Sequence, residues 1–167
     1  MLDLAINHVD ELQKQFRSTW FKEKYKFWNF TNYYDGTEIE ESTWNKHQFA
    51  SLDSTGNVIG YIGYHIDRSA EVIDGLNIIN FSENRVVFGM DAGQVLKDIF
   101  EKFNFRKLAF MVVVGNPIEE SYDKMIQRYG GRIVGIQRQQ AKLIDGQFYD
   151  VKLYEIFAED YFRREKP

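Results

Sequence analysis

Residues 108–114, Leu-Ala-Phe-Met-Val-Val-Val, form an unbroken apolar run of seven. A run this short, rich in Val and closed by Gly115, Asn116 and Pro117, reads as a strand buried on both faces, as in parallel pairing. Parallel neighbours need a connection of a dozen or more residues, usually a helix. The chain supplies one directly upstream. Over residues 91–103, Ala92, Val95, Leu96, Ile99, Phe100 and Phe103 recur at spacings of three and four and make one apolar stripe. Asp91 with Gln94 three positions on fits a capping-box start for that helix. Before it, VIDGLNIINF (72–81) reads as a strand and SENRVVFGM (82–90) as a loop. Strand, helix and buried strand make a right-handed crossover by the usual handedness rule.

The flanking segments extend the pattern. HQFASLD and VIGYIGYHI, joined by STGN, read as a hairpin over 47–66. Residues 117–129 read as a helix, with Asn116 as N-cap, Pro117 at the first position and Glu119 completing a capping box. Gly130-Gly131 stops it. RIVGIQRQQAKLI and QFYDVKLYEIF then form a second hairpin about Asp145-Gly146. Residues 1–45 look mainly helical, with Val9, Leu12, Phe16 and Trp20 at helical spacing. The expectation is one α/β domain with a mixed sheet.

Composition narrows the function. The net charge of −4 argues against a nucleic-acid partner, which is gripped through clustered Lys and Arg. The chain has no cysteine, so disulfides, thiolate nucleophiles and Cys-based zinc sites are excluded. No spacing of two His and a carboxylate suggests a metal. No apolar run reaches membrane-spanning length, and the first residues carry no signal-peptide pattern, so the cytoplasm is the expected compartment. With 14 Phe, 10 Tyr and 3 Trp, the chain needs a core, pocket or interface to house its aromatics.

From residue 47 to residue 157 this order of elements resembles the GNAT N-acetyltransferase superfamily. The stretch GNPIEESYDKMIQRYGGRIVGIQRQQAKLIDGQFYDVKLYEI looks most like the branch that acetylates protein N-termini and small amines. The resemblance implies a mostly antiparallel sheet with a central parallel pair flanked by helices. It also implies acetyl-CoA as cosubstrate and an amine acceptor bound on the side of residues 1–45. The family signature for the cofactor, Q/R-x-x-G-x-G/A, falls on Val87, Phe88, Gly89, Met90, Asp91 and Ala92, with Gly93 and Gln94 following. Only Ala92 matches a motif position. The logic of such a site is that free backbone N–H groups at a helix start bind the CoA pyrophosphate. Asp91 as N-cap would compete for those groups and repel the phosphate.

Direct transfer needs a positioned amine, a proton acceptor, an oxyanion donor and an acid for the thiolate. The family's usual Tyr falls on Ile126, which leaves Tyr122, one turn earlier on the same face, as the candidate acid. Asn116 ends the buried strand, where the family often places an Asn near the thiol. His65 and Asp74 are the candidates for proton acceptor, His for its unperturbed pKa. Trp20, Tyr25, Trp28 and Tyr34, with Asp35, Glu38, Glu40 and Glu41, could wall an acceptor site. A non-catalytic CoA-binding or protein-interaction module is the alternative, favoured by Ile126 and Asp91. Pairing of carboxy-terminal strands across a two-fold axis would give a homodimer.

Overall fold

The computed structural model describes residues 1–28, 37–83 and 85–164. In chain order the elements are β1 (Leu2–Leu4), a 3₁₀ turn (Ala5–His8), α1 (Val9–Thr19), a second 3₁₀ turn (Glu23–Tyr25), β2 (Lys46–Leu52), β3 (Val58–Asp67) and β4 (Val72–Asn80). Then follow α2 (Arg85–Lys97), a π-helical turn (Asp98–Lys102), β5 (Lys107–Val113), α3 (Glu119–Tyr129), β6 (Arg132–Lys142), β7 (Phe148–Phe157) and α4 (Ala158–Arg164). The strands form one seven-stranded sheet in the order β1-β2-β3-β4-β5-β7-β6. The β4–β5 pair is parallel and the others are antiparallel.

Alternation along the strands divides the core. Ile62, Tyr64, Ile73, Leu108, Phe110 and Tyr154 point to the face covered by α2, α3 and α4, and meet Phe88, Val95, Leu96, Ile126 and Tyr161 there. Ala50, Leu52, Val58, Tyr61 and Ile79 point the other way and pack on Leu12 and Phe16 of α1. The α1 stripe read from sequence therefore does bury. Residues 1–45 are less helical than expected: they open with a strand, and residues 37–45 are irregular.

The crossover helix begins earlier than the sequence pattern indicated. α2 starts at Arg85, so 85–90 are helix and not loop, and Asp91 lies mid-helix and not at the N-cap. Its first half is anchored by Phe88, whose ring lies on Gly60 so closely that a Cβ there would stand 2.3 Å from it. α3 begins at Glu119, two residues later than expected. Two side chains close the turn before it, because Asn116 Oδ1 accepts from Ile118 N–H and Glu119 accepts from Gly115 N–H. Gly130 ends α3 in the left-handed region at φ 75°, a position that favours glycine.

Two irregularities in β4 position the site. Its pairing with β5 stops after Val72↔Lys107 and Ile73↔Leu108, although β4 runs on to Asn80 and β5 to Val113. From Asp74 onward the two strands part. At the same point β4 carries a bulge: Gly75 and Leu76 together face Tyr64 of β3, between the pairs Gly63↔Asn77 and His65↔Asp74. Gly75 takes φ 57°, the left-handed conformation that a bulge of this kind assigns to glycine.

Candidate active site

A groove of about 350 Å³ lies over the parting strands, between α2 and α3. Ile62, Leu76, Ile78 and Leu108 of the sheet form its floor. Ala92, Val95, Leu96 and Ile99 wall it on one side, and Tyr122, Met125 and Tyr129 on the other. Exposed residues make the rim, with Gly89 and Gly93 on α2 facing Ser121, Lys124 and Arg128 on α3. A Cβ built on Gly89 or Gly93 would meet nothing within 4 Å, so the α2 side of the rim is bare backbone beside open space.

Of the residues placed in the cofactor signature, Gly89, Ala92 and Gly93 line this groove. Val87 and Phe88 belong to the first turn of α2. Met90 is exposed, and Gln94 donates to Asp98. Asp91 faces away from the groove, with Oδ2 accepting from the Ser51 hydroxyl at 2.7 Å and from the Met1 ammonium at 3.0 Å. The expected competition of an Asp91 N-cap with phosphate is therefore corrected: the carboxylate is engaged by Ser51 of β2 and by Met1, which precedes β1. Asn116 is occupied by its turn and is not among the lining residues.

Tyr122 reaches the groove from the first turn of α3. Its ring packs edge-on against Phe110 at 5.2 Å, and Phe110 stacks on Tyr154 at 4.9 Å. Its hydroxyl has no hydrogen-bond partner among the described residues. Loss of solvent pushes its pKa up to about 12, so it stays a neutral donor at ordinary pH. Next to it on α3, Asp123 accepts from the Tyr154 hydroxyl at 2.7 Å and pairs with Lys152 of β7 at 3.2 Å. Lys152 also pairs with Glu119. These contacts hold the first turns of α3 in register with the sheet. They were not visible in the sequence, because they join residues about thirty apart through the β5–β7 register.

His65 and Asp74 lie on the opposite face, the α1 side, at the point where β4 and β5 part. They are ladder partners, and His65 Nδ1 stands 3.1 Å from Asp74 Oδ1, both side chains about half exposed. Close by, Trp28 Nε1 donates to Asn77 Oδ1 at 2.6 Å, and Trp28 stacks on Phe16 at 5.4 Å. Tyr25 packs in the same layer and donates to Phe81 O. Trp20 Nε1 is buried without a hydrogen-bond partner among the described residues. Glu40 pairs with Lys46, and the Glu38 carbonyl accepts from Gln48. Tyr34 and Asp35 lie outside the described residues. No group of three metal-ligating side chains exists among the described residues, and none of their helices is long and apolar enough to cross a membrane.

No family model matches the chain, and no curated protein matches it. Solved structures do. A chimera of the spermidine N-acetyltransferase SpeG from Vibrio cholerae and hSSAT superposes with a TM-score of 0.67 at 18% identity, over 98% of this chain and 99% of that one. The chain has the GNAT fold. Spermidine/spermine N-acetyltransferase SpeG from Vibrio cholerae in complex with manganese ions gives 0.62 at 20% identity, over 74% of this chain and 72% of that one. A dodecameric structure of spermidine N-acetyltransferase from Vibrio cholerae gives 0.63 at 20% identity, over 74% and 71%. On this GNAT scaffold the parting of β4 from β5 and the groove above it are the features that set the site.

Proposed function

We propose that the chain is an N-acyltransferase that carries an acyl group, acetyl in the simplest case, from a CoA thioester to a primary amine. The observation that carries this reading is the parting of β4 and β5 after two residue pairs, with an apolar groove on one face and the His65–Asp74 pair on the other. From Asp74 to Ile79 the edge of β4 towards β5 has no ladder partner among the described residues, and it can bond the amides of a pantetheine arm as an added strand would. Arg85, exposed at the start of α2, offers a positive charge to the pyrophosphate. The spermidine acetyltransferases of the same fold support an amine acceptor.

The roles follow from placement. An amine arriving on the α1 face meets His65, whose Nδ1 side is held by Asp74, leaving Nε2 to accept the amine proton. The nitrogen forms its bond to the thioester carbonyl carbon as the C–S bond breaks. The bulge at Gly75–Leu76 leaves backbone polar groups outside the ladder, where they can take the oxyanion. Tyr122 gives its hydroxyl proton to the departing thiolate from the α2–α3 face. The products are an amide and free CoA.

Calorimetric titration with free CoA and acetyl-CoA tests the reading. Micromolar binding, weakened by salt, supports it, and no binding at millimolar ligand overturns it in favour of a non-catalytic scaffold. Self-association belongs to the same reading: β6 is an outer strand, its Val134 and Ile136 are more than half exposed, and one similar structure is dodecameric. Sedimentation of the protein, before and after Val134→Lys with Ile136→Lys, checks that part.

A further inference from the structure

A closed circuit of contacts runs through Tyr122. Its ring meets Phe110 edge-on, and Phe110 lies flat on Tyr154 of β7. The Tyr154 hydroxyl then donates at 2.7 Å to Asp123, the next residue of α3. Two residues earlier on β7, Lys152 Nζ reaches Asp123 at 3.2 Å and also pairs with Glu119, one turn back on α3. The second oxygen of Glu119 accepts from Gly115 N–H at 2.9 Å, just past the end of β5. The Tyr154 hydroxyl, ahead of the Lys152 ammonium, holds Asp123 below the usual carboxylate range. These bonds are therefore made to an anion and belong to the stronger kind.

The circuit sets the direction of Tyr122. Among the residues of α3, Ile126 alone is buried, and it belongs to the second half of the helix. The first turns have no apolar anchor of that kind. The Tyr122 hydroxyl has no hydrogen bond among the described residues, and the residue lines the open groove. A side chain so placed takes its direction from its backbone and from the rings it leans on. Neighbouring residues of an α-helix stand about 100° apart, so holding Asp123 to β7 on one flank turns Tyr122 towards the groove on another. Tyr154 acts twice, because its ring carries Phe110 and its hydroxyl holds Asp123. Neither Tyr154 nor Lys152 lines the groove. Resting on the proposed role of Tyr122 as acid, we infer that Tyr154 and Lys152 are positioning residues that hold the Tyr122 hydroxyl at the departing thiolate.

The test follows CoA release from acetyl-CoA with spermidine, glucosamine and an unblocked tripeptide as acceptors, beside calorimetric titration with free CoA. Tyr154→Phe keeps the ring on Phe110 and removes the bond to Asp123. Lys152→Met removes the charge between the two carboxylates, and Lys152→Arg returns it. Tyr154→Phe should lower kcat about fivefold and Lys152→Met about tenfold, with free CoA bound within about twofold of the parent and Lys152→Arg recovering most of the loss. In the Tyr122→Phe background the same substitutions should lower kcat by less than about twofold, because the group they aim is gone. A purely structural role would shift the urea midpoint and lower kcat equally in both backgrounds, and that result overturns the inference. An unchanged kcat in Tyr154→Phe overturns it too, and decides the matter where Lys152→Met does not fold. If Tyr122→Phe itself leaves kcat unchanged, or no amine turns over, the acid role falls and the inference with it. Titration with free CoA decides the reading of the groove separately.

Discussion

His65 Nδ1 and Asp74 Oδ1 stand 3.1 Å apart, and Asp74 is the first residue of β4 past its last pair with β5. The bulge at Gly75 and Leu76 brings this about, because it shifts the β3–β4 register and sets the carboxylate beside the imidazole. With one ring nitrogen held, the other is presented to the face from which an amine would arrive. His65→Ala is expected to lower amine acylation about a hundredfold or more, and Asp74→Asn to lower it less. Both side chains are half exposed, so stability should change by no more than about 0.5 kcal/mol. Steady-state rates set beside calorimetric CoA affinity check this; a loss of CoA binding equal to the loss of rate would remove the base assignment.

Tyr122→Phe removes only a hydroxyl that has no hydrogen-bond partner among the described residues. The expected result is a fall in kcat with donor affinity and fold retained, read from rates and from titration with free CoA.

The same tyrosine predicts alkaline behaviour. Burial pushes Tyr122 up to about 12, and Tyr61 up to about 12 as well, with its hydroxyl against Gln48. An unfolded tyrosine ionises near 10, so above that pH the unfolded state has lost protons that the folded state keeps. Stability is then full below pH 10 and falls from pH 10 to pH 12, by about 1.4 kcal/mol per pH unit for each tyrosine. Urea unfolding at pH 9, 10 and 11 measures the slope, and Tyr122→Phe should make it shallower.

Two glycines should respond in opposite directions. Gly60→Ala forces a methyl into the ring of Phe88 and to 2.8 Å from the Ile79 carbonyl, which should cost about 1–3 kcal/mol. Gly93→Ala adds a methyl inside α2 where nothing lies within 4 Å, and should stabilise the chain by about 0.5–1 kcal/mol. Urea midpoints of the two variants decide it.

Glu155 is buried beneath Lys107 and Arg132, and the Lys107 ammonium, followed by the Arg132 guanidinium, holds its carboxyl below the usual glutamate value. A depressed carboxylate adds stability above its unfolded pKa, near 4.5, and that stability is lost as pH falls through the folded value. Glu155→Gln should therefore cost about 1–3 kcal/mol at pH 7 and progressively less below pH 4.5. Unfolding of both proteins at pH 7, 5 and 3.5 shows whether the gap closes.

Much of the scaffold was legible because its signals are local. The run 108–114 announces β5, Asp145-Gly146 the last hairpin, and Leu12 with Phe16 the buried stripe of α1. The start of α2 was hidden for a physical reason. Val86 and Met90 are exposed, so the first turns carry no clean stripe, and Phe88 is held by a distant strand through Gly60. Meanwhile Asp91 and Gln94 imitate a capping box in mid-helix, where Asp91 accepts from distant Ser51 and Gln94 donates to Asp98 one turn on. The pairing of His65 with Asp74 depends on a bulge, and the groove depends on how far two strands separate. Neither leaves a periodic trace in the sequence. β1 has three residues and α4 seven, too short to stand out by pattern.

The two residue pairs that join β4 to β5 give the sheet a seam. On one side lie β1 to β4, on the other β5, β7 and β6; among the described residues the ladder pairs that cross between them are Val72↔Lys107 and Ile73↔Leu108, with Glu71 O accepting from the Arg106 and Lys107 N–H groups beside them. A molecule seated in the groove touches both blocks at once and acts as a rivet. Binding should therefore slow amide exchange at the seam more than in either block, and raise the temperature at which the two blocks come apart together.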